Sequence, residues 1–84
     1  MNTSPVHHLL RIYRARLKMI ETGITHPPPE IAEGVKRLVA GLSELQPNDL
    51  VYFEIQNGNI YWKTAPADNL IAEFPWIPKK EREK

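Results

Sequence analysis

The pair Asn57-Gly58 constrains this chain more than any other feature. It is the preferred pair for a two-residue type I′ turn, whose central residues both need a left-handed backbone. β-forming residues flank it on both sides, Leu50-Val51-Tyr52-Phe53-Glu54-Ile55 before and Ile60-Tyr61-Trp62-Lys63-Thr64 after. The turn sets a register with Ile55 opposite Ile60, Phe53 opposite Trp62 and Val51 opposite Thr64, so one face of the hairpin is almost entirely apolar. The other face holds Leu50, Tyr52, Glu54, Tyr61 and Lys63. An isolated hairpin is marginal in water, so the Phe53/Trp62 face is expected to pack on the rest of the chain.

That cover is helical. Val6, Leu9, Leu10, Tyr13, Leu17 and Ile20 recur at spacings of three and four, which places them along one side of a helix. Ser4 reads as its N-cap, Pro5 as its first residue and Gly23 as its stop, giving a helix from Pro5 to Thr22. His26-Pro27-Pro28-Pro29 makes a stiff connection. A second helix opens at Pro29 or Glu30 with the stripe Ile31, Val35, Leu38, Leu42 and Leu45, and Glu33 can pair with Arg37 on its wet side. Gly34 and Gly41 weaken this helix by about 1 kcal/mol each relative to alanine, so they mark the close approach of another backbone. Gln46-Pro47-Asn48-Asp49 ends it in a turn.

The expected fold is therefore two-layer α+β, two N-terminal helices packed on a C-terminal antiparallel β-hairpin. Residues 69–77 are left open between one helical turn, a short edge strand and an extended docking segment. The domain is expected to span 1–78, with 79–84 a charged, disordered tail.

Composition enters as an exclusion. With 84 residues there is room for one core, and with no cysteine there is no disulfide, zinc-thiolate site or thiol nucleophile to reinforce it or react. Neither a secretory start nor a run of roughly 20 apolar residues is present, so a soluble cytoplasmic protein is expected. The net charge of +1 is unevenly spread: residues 1–26 carry Arg11, Arg14, Arg16 and Lys18 against Glu21, a balance of +3, while residues 27–78 sum to −4 and the tail to +2.

No pattern specific to catalysis emerges. His7, His8 and His26 lack the helical spacing and the acidic neighbours of a metal site. The glycines are accounted for by turns and helix packing, and no serine stands in a nucleophile-elbow context. The expectation is no enzyme, no metal, no cofactor and no small-molecule substrate. Two binding readings remain. In the first, a small accessory or adaptor protein acts through protein–protein contacts and associates with itself as a homodimer. Its contacts are Ile12 and Met19, which form an extra apolar strip on the first helix, together with Tyr52, Tyr61 and Trp76. In the alternative, a nucleic-acid-binding regulator follows phosphates with Arg11, Arg14 and Lys18, aided by Lys63. An ordinary solvated helix face accounts for the cations as simply, and folding-back of Leu70, Ile71, Phe74 and Trp76 would account for the strip.

Overall fold

The computed structural model describes residues 2–75. Two helices cover one side of a four-stranded antiparallel sheet: β1 (Ser4–Pro5), α1 (Val6–Glu21), α2 (Pro29–Ser43), β2 (Leu50–Gln56), β3 (Asn59–Ala65) and β4 (Leu70–Pro75), with the strands in the spatial order β1-β2-β3-β4. The shortest dimension of the molecule is 16 Å, as two layers require. The α+β class and the layering agree with the sequence, but the sheet has two more strands than the expected hairpin.

The hairpin register is the expected one: Ile55 pairs with Ile60, Phe53 with Trp62 and Val51 with Thr64. Asn57 and Gly58 both have positive φ, 53° and 82°, so the turn has the type I′ backbone that its sequence favours. On the helix side Val51, Ile60, Trp62, Ala72 and Phe74 join Val6, Leu9, Leu38 and Leu42 in one core. Trp62 lies at its centre, edge-on to Tyr13 at 5.6 Å between ring centroids and tilted against Phe53 at 5.1 Å. Phe53 and Ile55 are not enclosed as the alternation suggested, remaining 48% and 47% exposed. α2 packs on β4 and α1 packs on α2, so the helical layer leans towards the far side of the sheet from Phe53 and Ile55.

The start of α1 departs from its sequence reading. Ser4 is not a side-chain cap, and Pro5 stands before the helix with extended backbone (φ −70°, ψ 147°). Ser4 and Pro5 instead lie against Val51 and Leu50 as a two-residue strand. The first orphan amides of the helix find tertiary acceptors: Val6 N–H donates to the Asp49 carbonyl at 2.9 Å and His7 N–H to that of Pro47 at 3.0 Å. α2 stops at Ser43, before the 46–49 turn expected to end it, and that turn instead caps α1. At the other end Gly23 takes φ 79° directly after the Thr22 cap, as a glycine stop should.

Gly34 and Gly41 mark close approach, but of β4 side chains rather than of the expected backbone. A Cβ on Gly34 would lie 2.2 Å from Phe74 Cγ, and one on Gly41 would lie 2.6 Å from Ile71 Cγ2. Of the segment left open in the sequence, 69–77, residues 70–75 form an edge strand, and 76–77 lie outside the described residues. Arg37, expected to pair with Glu33, donates from Nη2 to the Glu73 carbonyl at 3.1 Å and so occupies an edge acceptor of β4. Among the described residues no Glu33–Arg37 ion pair forms.

Candidate docking site

α1 carries two apolar rows. Val6, Leu9, Leu10 and Tyr13 belong to the core or pack against it. Ile12, Ala15 and Met19 follow one another at spacings of three and four and so share a second row. Ile12 and Met19 are 38% and 39% exposed, the expected extra strip. β4 lies on α2 and does not fold back over this strip.

The strip is one wall of a groove. Ile12, Ala15, Arg16, Met19 and Ile20 of α1 face Ile31 and Val35 of α2, and Thr25 and Pro27 of the connection close one end around about 700 Å³. The connection keeps its place because Ile24 and Thr25 both donate backbone N–H bonds to the Met19 carbonyl, at 2.9 and 3.2 Å. The lining is apolar apart from Arg16 and Thr25. Arg16 extends over the Tyr13 ring, 5.5 Å from its centroid. Burial raises the Tyr13 hydroxyl above its ordinary pKa, and the Arg16 charge partly offsets that rise.

The sequence-derived contact residues separate in space. Ile12 and Met19 are brought together in the groove. Tyr52 points to the opposite sheet face and is only 4% exposed, so it offers no contact surface. Its hydroxyl donates to the Asp68 carboxylate. Asp68 is delivered by the turn after β3, where Asp68 N–H bonds to the Thr64 carbonyl at 2.8 Å and Asp68 itself takes φ 63°. That hydrogen bond, with burial and then the Asp68 and Glu54 charges behind it, pushes the Tyr52 hydroxyl up to about 12. Tyr61 is half-buried on the same outer face, opposite Glu54 and Glu73. Trp76 and the tail 79–84 lie outside the described residues, as does the end of the expected 1–78 domain.

The cations of the alternative reading divide as well. His7, Arg11 and Arg14 line a second depression of about 500 Å³ with Leu10, Ser43, Leu45 and Pro47. Arg14 Nη2 donates there to Ser43 Oγ at 3.3 Å. Lys18 is exposed in the last turn of α1. Lys63 is remote from them on the outer sheet face, held 2.9 Å from Glu54 Oε1, and that hydrogen bond raises its pKa. This is the one ion pair among the described residues.

Among the described residues no three histidine, aspartate or glutamate side chains gather where they would hold a metal, and no helix is long and apolar enough to cross a membrane. The groove itself was hidden in the sequence: Ile12 and Met19 were visible, but Ile31 and Val35 read only as the core stripe of α2. Comparison with models of protein families, with curated proteins and with solved structures finds no match.

Proposed function

We propose that this chain is a non-enzymatic interaction module, an accessory or adaptor protein whose docking surface is the groove between α1 and α2. The groove carries the reading: an apolar concavity of about 700 Å³ with Ile12 and Met19 left open on its wall. Its lining is apolar with Arg16 and Thr25 as the polar groups, the make-up of a groove that holds the apolar face of an amphipathic segment.

The test is a selection of randomly displayed peptides against the full chain, with the Ile12→Glu/Met19→Glu double variant as the counter-target. Sequences enriched on the wild type and not on the variant support the reading. No enrichment, or equal enrichment on both, overturns it. The mass in solution covers the case of a second copy. A dimer that the double variant dissolves makes the chain its own partner through this surface, whereas a monomer assigns the surface to another protein.

Nucleic-acid binding is kept as a second reading because His7, Arg11 and Arg14 share one depression. It requires nucleic acid to be retained at low salt, lost steeply as salt rises, and abolished by changing Arg11, Arg14 and Lys18 together to glutamine. Absence of low-salt binding eliminates it.

A further inference from the structure

We infer that the groove takes an acidic amphipathic helix from another protein, an inference that rests on the docking reading above. The observation behind it is how charge surrounds the apolar row Ile12-Ala15-Met19. Arg16 is a helical neighbour of both Ile12 and Met19 and flanks the row on the groove side. Arg11 and Lys18 are each one helical step from Ala15 and flank it on the opposite side. Among the described residues none of these three cations has a carboxylate within ion-pair distance. An apolar row bordered on both sides by cations without a carboxylate partner is the complement of a helix whose apolar row is bordered by carboxylates.

Shape and length agree with that occupant. From Ile12 to Met19 the row advances i to i+7, about 10 Å along the axis, which is the reach of the i, i+3/i+4, i+7 anchors that a helix lays into a groove. The other occupants fit less well. A second copy docked through the same face would set one +3 helix against another and one concavity against another. A bilayer is flat, whereas α2 and the Thr25-Pro27 connection wall this surface in. A nucleic acid would leave the groove's apolar lining unused, with a single cation inside it.

The experiment uses a library of helical peptides on one scaffold, divided into a half whose charged positions are only Asp and Glu and a half whose charged positions are only Lys and Arg. Each half is selected against the full chain. The expected result is binders from the acidic half alone. Their affinity should fall at least about tenfold with Met19→Glu, the loss of a buried anchor, and up to about fivefold with Arg16→Gln, as for an exposed ion pair. Should Met19→Glu perturb the fold by circular dichroism, Met19→Gln replaces it with the same expectation. Equal yields from both halves, or binders from the basic half, overturn the acidic helix and leave the docking surface standing. No groove-dependent binder from either half overturns both. Adsorption of the chain to phosphatidylserine vesicles, lost on Met19→Gln, would assign the strip to a membrane surface and also overturn the inference.

Discussion

Gly34 has no side chain because Phe74 occupies the space one would need. Helix propensity alone would reward Gly34→Ala by about 1 kcal/mol, but the new Cβ would meet Cγ and Cβ of Phe74, the root of a ring packed in the core. The overlap should reverse the sign, with a net loss of about 1–3 kcal/mol in urea unfolding. Gly41→Ala meets a methyl of Ile71 at a longer distance and should cost less. A stabilised Gly34→Ala protein would mean that α2 and β4 are further apart than described. Tyr52 makes a different residue-scale prediction. The native hydroxyl holds its proton more tightly than an unfolded tyrosine does, so its contribution to stability is complete below pH 10.0 and is lost as pH rises through about 12. Tyr52→Phe should remove this contribution to the alkaline fall in stability, which parallel melting curves of the two proteins would show.

Trp62 and Phe53 face each other across β2 and β3 and show how far an element's periodicity can be trusted. Alternation correctly put both on the helix side, but only Trp62 lies beneath the helical layer. Trp62→Ala should therefore cost about 3–5 kcal/mol, while Phe53→Ala, at a half-exposed site, should cost clearly less in the same denaturant series. Equal losses would place the helices over β2. The hairpin register was legible because a turn chemistry with few solutions stands between two β-forming runs. The glycines of α2 were legible because each opposes helix propensity and so needs a reason. β1 was not legible, since Ser-Pro before an apolar run is equally a helix start, and the choice was made by carbonyls of the 46–49 turn, forty residues away in sequence. β4 was legible only as one of three alternatives for residues 69–77, because Leu70, Ile71, Ala72 and Phe74 break strict alternation, and its pairing with β3 is irregular at Trp62/Lys63. The burial of Tyr52 depended on a turn that brings Asp68 back over the sheet, which no local pattern in β2 announces.

At the scale of the whole molecule, the distribution of charge and the distribution of apolar surface point to the same place. α1 carries Arg11, Arg14, Arg16 and Lys18 against Glu21, while Glu30, Glu33 and Glu73 surround a separate depression beside α2 and β4. The chain is thus polarised, basic on the side that also bears the open apolar row. If this side docks an acidic partner, the purified protein alone should be a monomer, and its melting temperature should not depend on protein concentration. Melting that rises with concentration would indicate self-association. The groove was half legible in the sequence: the extra strip on α1 was visible as residues outside the main stripe, but its second wall comes from Ile31 and Val35, which read only as core positions of α2.

The most direct measurement is the mapping of amide shifts by nuclear magnetic resonance as a groove-selected acidic peptide is titrated into the full chain. With the peptide in the groove, changes are expected to concentrate at Ile12, Ala15, Arg16, Met19, Ile20, Thr25, Ile31 and Val35 and to weaken with added salt. Changes centred instead on His7, Arg11 and Ser43, or on Tyr61 and the outer sheet face, would contradict it.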